Sequence, residues 1–205
     1  NIDKISYFMD DCKKQNIRVL GPDINNSDNN FVVGKEGEIL FGLGAIKGTG
    51  DAAVNYIIEE REKNGNYKNI FEFICRTSSR AVNKKTYESL ALAGSFDDLE
   101  DIDRKKYIYS NENESSFIEK AISYSNKLQK EKETKQTFLF NNSEESNLIT
   151  PEIPEIEPFT EIEKLKIEKE LLGIYVSGHP LDKYSFEIKN LCNSSFREIK
   201  DQNRL

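Results

Sequence analysis

The segment Ile46-Lys47-Gly48-Thr49-Gly50 indicates the fold of the first half of this chain. It places two glycines one residue apart, between two segments with helical patterning at 43–46 and 51–63. Glycine adopts backbone conformations that other residues resist, so this spacing favours a tight hairpin over a continuous helix. An apolar residue followed by x-Gly-x-Gly between two helices is typical of a helix-hairpin-helix motif.

The chemistry of this hairpin suits a phosphate group. Backbone amides at a helix N-terminus, aided by the helix dipole, can hold a phosphate oxygen without reading any base. Lys47 is placed to add a positive charge and Thr49 a hydroxyl. We therefore predict a DNA-phosphate-binding site at Lys47, Gly48, Thr49 and Gly50. The alternative is an ordinary glycine turn between packed helices.

Around the hairpin the sequence predicts a mostly α fold with one small β-hairpin. The periodicity predicts helices at 2–15, 51–63, 70–75 and 84–93, and strands at 17–20, 31–33 and 39–41. Asn83 is a typical helix-capping residue and Gly94 a typical helix end. Gly94-Ser95-Phe96 forms a degenerate second hairpin. Its single glycine predicts a structural partner for the first hairpin rather than a second phosphate site.

The second half of the chain is more polar. An acidic run at 97–103 leads into a long polar helix predicted at 104–135. Residues 141–160 contain three prolines and five glutamates but no lysine or arginine, which predicts an extended acidic linker. An amphipathic helix is predicted at 161–172, and 181–191 is weakly helical.

The pentapeptide Gln136-Thr137-Phe138-Leu139-Phe140 follows the predicted long helix. Three large hydrophobic residues in a polar region are costly to expose without a use. A short peptide of this kind can insert Leu139 and Phe140 into an apolar pocket of a partner while Gln136 hydrogen-bonds at the rim. The alternative is that these side chains pack back onto their own domain.

Composition and charge exclude several classes. With 205 residues, 37% hydrophobic and 10% aromatic, the chain can build the core of one or two domains. It has no run of about 20 apolar residues and no signal-peptide pattern, which excludes a membrane protein and a secretory precursor and favours the cytoplasm. It begins with Asn rather than Met, as expected of a segment or a processed chain. The net charge of −7 argues against nucleic acid, but residues 47–85 hold eight bases and five acids, a net +3.

No metal site is expected. Cys12, Cys75 and Cys192 are far apart and His179 is the only histidine, so no disulfide framework or zinc ligand set is expected. A Ser-His-Asp triad would need His179, which we interpret as a loop histidine beside Pro180. A two-metal site at the acids of 97–103 is not expected, because no second acidic motif completes it. We interpret these acids as complementing the dipole at the start of a helix. We predict no catalytic residues in this chain.

Four motifs, in order, resemble the alpha subunit of bacterial DNA polymerase III. They are Asp10–Cys12 with Ile17–Asn25, similar to the end of the family's fingers; Phe41–Gly50, similar to its helix-hairpin-helix entry; Asn83–Lys85 with Ala93–Asp97, similar to the following helix and turn; and Glu170–Leu181, similar to the stretch leading toward its OB domain. The resemblance covers nearly the whole chain.

The resemblance implies a division of the chain. The implied parts are an end-of-fingers segment at 1–20, a tandem helix-hairpin-helix unit with the β-hairpin at 21–103, the long polar helix at 104–135, a clamp-binding peptide at 136–140, the acidic linker at 141–160, and a helical segment toward an OB domain at 161–205. The resemblance does not assign a role to Ser177–Pro180.

The same resemblance implies the function. The parent would be a DNA-directed DNA polymerase that uses Mg²⁺, with its catalytic carboxylates and a metal-binding domain upstream of this segment. This segment would hold the duplex DNA backbone through Lys47–Gly50 and the beta sliding clamp through Gln136–Phe140, among other replicase subunits and away from membranes. It departs from the family in its weak second hairpin and in the acidity of 141–160, which repels DNA at close range.

Two other functions remain open at this point. A base-excision glycosylase can use the same hairpin, but it needs a catalytic Asp beside a base-flipping pocket, and this chain offers no Trp and no aromatic-rich segment for one. An interaction scaffold whose hairpin binds no DNA is the other. Salt-dependent duplex binding separates the scaffold from the DNA-binding interpretation.

Overall fold

The computed structural model describes residues 2–78, 82–111, 114–137, 149–192 and 194. The described part is mostly helical, as predicted, with a small sheet near its beginning. Its helices are α1 (Ile2–Lys14), α2 (Asp51–Asn64), α3 (Ile70–Thr77), α4 (Lys84–Ala93), α5 (Arg104–Ile108), α6 (Phe117–Thr137), α7 (Glu161–Leu171) and α8 (Ser185–Leu191). Its strands are β1 (Val19–Leu20), β2 (Val32–Val33) and β3 (Ile39–Leu40), and single 3-10 turns lie at Leu43–Ala45 and Asp182–Tyr184.

The predicted β-hairpin is confirmed, and a third strand completes the sheet. β2 and β3 are antiparallel, with Val33 opposite Ile39, and Gly37 takes a φ of +83° in the turn between them. β1 adds to the other side of β3 in parallel, with Val19 beside Ile39, so the strand order is β1-β3-β2. Local sequence spacing does not predict the β1–β3 pairing because it joins residues about twenty positions apart.

The hydrophobic core lies among α2, α3, α4, α5 and the first turns of α6. Phe73 is at its centre, with ring centroids 4.9 Å from Tyr67, 5.6 Å from Tyr87 and 5.2 Å from Phe96. Such edge-on and tilted aromatic contacts stabilise a core beyond the area they bury. Burial raises the pKa of the Tyr87 phenol to about 12. Ile46, at the start of the hairpin at 46–50, is also buried in this core. The core therefore anchors the hairpin.

Helix starts follow the capping residues that the sequence offers. The predicted cap is confirmed at Asn83, whose side chain accepts a hydrogen bond from the Thr86 amide and begins α4. Asn69 caps α3 in the same way. Thr160 and Glu163 form a reciprocal capping box at the start of α7. Gly94 ends α4 in the left-handed conformation, also as predicted.

The prediction of a single helix at 104–135 is wrong, because two helices occupy this region. α5 ends at Ile108, and α6 begins at Phe117. The serine-rich stretch before Phe117 supplies a new start, where Ser116 Oγ accepts from the Glu119 amide and the Glu119 carboxylate accepts from the Ser116 amide. The helical segment predicted at 43–46 is likewise only a single 3-10 turn over 43–45.

The C-terminal part packs against the first through α7. The described residues of the predicted linker, 149–160, contain no helix or strand, and the Phe159 amide donates to Asp103. Leu165 and Leu172 of the α7 region are buried, whereas the side chains of α8 are exposed. In the described part of the chain, no helix has the length and apolar character to cross a membrane.

Candidate nucleic-acid interface

The predicted phosphate-binding hairpin is a tight turn in front of α2. Gly48 has a φ of +97°, a left-handed value that strongly favours glycine, and the Thr49 amide donates to the Ile46 carbonyl across the turn. Gly50 is the N-cap of α2, with extended backbone and open space where a side chain would stand. The predicted residues 47–50 are thus brought together at a helix N-terminus.

Several hairpin amides are open. Among the described residues, the amides of Gly48, Gly50 and Asp51 have no hydrogen-bond acceptor, and no side chain caps α2. The α2 dipole adds partial positive charge at this end, although the Asp51 carboxylate offsets part of it. The Lys47 amide is not available, since it donates to the Leu171 carbonyl of α7 at 2.9 Å. Open amides with a helix dipole behind them suit an anion.

Thr49 has a different task from the one predicted. Its hydroxyl donates to the carbonyls of Leu43 (3.0 Å) and Ile46 (2.8 Å). A hydroxyl has one proton, and the oxygens of a phosphodiester only accept hydrogen bonds. The Thr49 hydroxyl therefore holds the hairpin to the 3-10 turn before it and has no proton left for a phosphate.

Two lysines flank the hairpin, and the sequence pattern singled out only one of them. Lys47 is exposed, and no carboxylate pairs with it in the described part of the chain. A methyl group built on Gly48 would lie 3.5 Å from Cε of Lys85, which places that side chain of α4 against the hairpin. Neighbouring Lys84 instead pairs with Glu119 at 2.8 Å and Glu88 at 3.5 Å. Linear spacing does not predict the position of Lys85, because α4 reaches the hairpin only through packing.

The degenerate second hairpin at 94–96 has no comparable opening. The guanidinium of Arg104 lies over Gly94, where any side chain would collide with it. The Ser95 amide donates to the Leu90 carbonyl, and the Ser95 carbonyl accepts from the Ile24 amide. The next helix begins at Arg104, as predicted. These contacts give the turn a structural role.

The other predicted residues are those of the pentapeptide 136–140, His179 and the three cysteines. Gln136 and Thr137 lie in the last turn of α6, and Phe138, Leu139 and Phe140 lie outside the described residues. His179 is exposed, and its Nδ1 accepts from the Leu181 amide, as suits a loop histidine. The three cysteines are unpaired, and no group of His, Cys, Asp and Glu suited to a metal occurs within the described ranges.

Comparison with known proteins gives the family. A family model described as a helix-hairpin-helix motif matches residues 16–107. The DNA polymerase III alpha subunit of Deinococcus radiodurans is 39% identical over 182 residues, which are 89% of this chain and 13% of that protein. The chain belongs to the DNA polymerase III alpha-subunit family.

Other alpha subunits match at similar levels. That of Borreliella burgdorferi is 38% identical over 195 residues, or 94% of this chain and 16% of that protein. That of Haemophilus influenzae is 30% identical over 205 residues, or 100% of this chain and 17% of that protein. The chain thus spans between 13% and 17% of the length of these alpha subunits. The hairpin at 46–50 lies inside the helix-hairpin-helix match.

Proposed function

We propose that this segment binds the backbone of duplex DNA for a bacterial replicative DNA polymerase. The observation that carries the proposal is the hairpin at 47–50, where open amides at the N-terminus of α2 stand beside the unpaired Lys47. The helix-hairpin-helix match over 16–107 and the similarity to DNA polymerase III alpha subunits support it. The contacts are to phosphate, so binding is independent of base sequence.

The charge of the region agrees with this role. The chain as a whole has a net charge of −7, and residues 141–160, far from the hairpin in sequence, contribute −5 because they contain five glutamates and no base. Each lysine that neutralises a phosphate releases a counterion, so binding weakens as salt rises. A scaffold without DNA binding is the alternative, and it predicts no salt-dependent binding of duplex DNA.

The activity of the whole polymerase belongs to this proposal. DNA-directed polymerisation by the parent protein uses carboxylates and Mg²⁺ that we place outside this segment. The segment then keeps the duplex close to a distant active site and contributes no group to the chemistry. We assign no catalytic residue to it.

We further propose that Gln136–Phe140 bind the beta sliding clamp. The polar helix α6 ends at Thr137, directly before the apolar residues Phe138, Leu139 and Phe140. A peptide that follows a long helix can be presented away from the core and can enter an apolar pocket. Together, the hairpin and the peptide would connect the polymerase to DNA and to its clamp.

Two substitutions test the hairpin. Gly50→Val suits the purpose because Gly50 has extended backbone and open space around it, so valine folds there and projects over the open amides. It should weaken duplex binding about equally for all sequences. Lys47→Ala should lower the slope of log K against log salt by about one unit, since one phosphate contact is lost. Both are measured by fluorescence anisotropy with a labelled duplex over a salt series.

The matched control is Lys63→Ala. Lys63 is exposed in the last turn of α2, about 18 Å along the helix from the hairpin. Its removal should leave the salt slope within error of wild type. If the wild-type chain does not bind duplex DNA at low salt, or if Gly50→Val binds like wild type, the hairpin is not a phosphate site.

A further inference from the structure

The hydroxyl of Ser89 on α4 has no hydrogen-bond partner among the described residues. The residue is only 6% exposed, but its Oγ is not one of the fully buried hydroxyls without a partner, which among the described residues are those of Ser95, Tyr107 and Ser125. A hydroxyl that makes no hydrogen bond within the protein and keeps some access to solvent can donate a hydrogen bond to a ligand. The atom faces the hairpin, because a methyl group built on Gly48 would lie 2.5 Å from Ser89 Oγ.

Lys85 stands one turn before Ser89 on the same face of α4. Residues at i and i+4 are neighbours on a helix surface, and both side chains approach Gly48. No carboxylate pairs with the Lys85 ammonium in the part of the chain that the structure describes. The hairpin is therefore faced by an unpaired cation and an unpartnered hydroxyl from a separate helix.

We propose that Lys85 and Ser89 form the second wall of the hairpin's phosphate site. The proposal rests on the proposed function, because the ligand is the same phosphodiester of duplex DNA. A phosphodiester has two non-bridging oxygens, and the hairpin amides occupy one side of the group. The Ser89 hydroxyl and the Lys85 ammonium supply the donor and the charge on the other.

Gly48 makes this two-walled site possible. Any side chain there would collide with Ser89 Oγ, so glycine is needed for the close approach of the hairpin to α4 as well as for its positive φ. Ser89 also supplies a hydroxyl donor for the phosphate. Thr49 cannot supply one, since its hydroxyl already donates hydrogen bonds to the carbonyls of Leu43 and Ile46. The hydroxyl predicted at Thr49 is thus provided from α4.

The test compares Ser89→Ala, Lys85→Ala and Lys84→Ala in the full chain, by anisotropy with the same labelled duplex. Ser89→Ala should weaken binding roughly three- to tenfold without changing the salt slope, because it removes a neutral donor. Lys85→Ala should lower the slope by about one unit. Lys84→Ala is the matched control, since that lysine pairs with Glu88 and Glu119, and it should leave the slope unchanged.

Thermal unfolding of the free proteins supplies a second readout. Ser89→Ala removes a hydroxyl that makes no bond, so its melting temperature should equal or exceed that of wild type. A lower melting temperature would mean that the hydroxyl serves the fold, and the proposal would be overturned. It is also overturned if Gly50→Val weakens DNA binding while Ser89→Ala and Lys85→Ala bind like wild type. If Gly50→Val has no effect, the proposed function itself fails.

Discussion

Arg104 and Glu168 form a buried ion pair between residues that are 64 positions apart in sequence. Arg104 Nη1 lies 3.2 Å from Glu168 Oε1, and the Glu168 side chain is 2% exposed. The other oxygen of Glu168 accepts from the amides of Val176 and Ser177, each at 3.1 Å. Arg104 also pairs with Asp97. This network joins α5, α7 and the loop after α7, and α7 in turn supplies the carbonyl that holds the Lys47 amide.

The first prediction concerns this network. Glu168→Ala should lower the free energy of unfolding by about 2–3 kcal/mol, because it leaves two loop amides and part of a buried guanidinium without an acceptor. The loss is moderated because Asp97 still pairs with Arg104. Glu168→Gln should cost less, since its amide oxygen still accepts. Urea unfolding followed by circular dichroism measures both.

The control for this network is Glu170→Ala, on the exposed side of the same helix. Removing an exposed side chain away from special features usually changes stability by less than about 0.5 kcal/mol. If Glu168→Ala and Glu170→Ala were equally stable, the buried pair would make no net contribution to the fold.

The second prediction concerns the close approach of Arg104 to Gly94. Gly94→Ala places a methyl group against the guanidinium and also in a left-handed conformation, with φ at +87°. Gly37→Ala is a matched control, because Gly37 has a φ of +83° and open space around it. The control should cost about 1–2 kcal/mol from conformation alone. Gly94→Ala should cost clearly more, as measured by urea unfolding, and equal losses would contradict the steric argument.

The third prediction concerns acid stability. Burial opposes ionisation of Glu60, but two hydrogen bonds from Arg76 outweigh it and hold the pKa of Glu60 below its ordinary value of 4.5. A lowered folded pKa means that this stabilisation is fully present above the ordinary value and is lost as the pH falls through the folded pKa. Stability should therefore drop on acidification, and Glu60→Gln should flatten that drop.

The comparison variant for acid stability is Glu36→Gln. It breaks the pair between Arg18 and Glu36, whose side chains are 61% and 75% exposed. Exposed pairs contribute little, so its acid profile should follow wild type. Thermal unfolding across a pH series measures both variants, and an acid limb that stays unchanged in Glu60→Gln would refute the assignment.

The fourth prediction concerns the proposed clamp peptide. Replacing both Leu139 and Phe140 by alanine should weaken clamp binding by at least roughly tenfold. Burial of each side chain in the clamp would contribute about 1.5–3 kcal/mol. Gln136→Ala should cost less, because a rim hydrogen bond nets only about 0.5–1.5 kcal/mol. Surface plasmon resonance with the purified cognate clamp measures both.

Two readouts check the clamp variants. Duplex binding by the double variant should equal that of wild type, because the hairpin is on a separate element. Its circular dichroism spectrum should also be unchanged. A double variant that bound the clamp like wild type would disprove the role of the peptide, and one that unfolded would place these residues in the core.

Much of the local structure follows from the sequence, because it depends on neighbouring residues. Asn83 and Gly94 set the limits of α4, and the spacing of Gly48 and Gly50 sets the hairpin before α2. The cap at Ser116 is also a local feature. It was not predicted, because the polar pattern across 104–135 indicated a single helix. In each case, a hydrogen bond or a dihedral angle within a few residues determines the result.

The hairpin, its glycines and Lys47 could be predicted from consecutive residues, because turn geometry is a local property. The groups that face the hairpin could not, because they depend on helix packing. Packing of α4 brings Lys85 and Ser89 to Gly48. The same holds for β1 beside β3 and for Glu168 beside Arg104. These contacts join residues far apart along the chain, and which of them form depends on how the helices pack, so no local pattern encodes them.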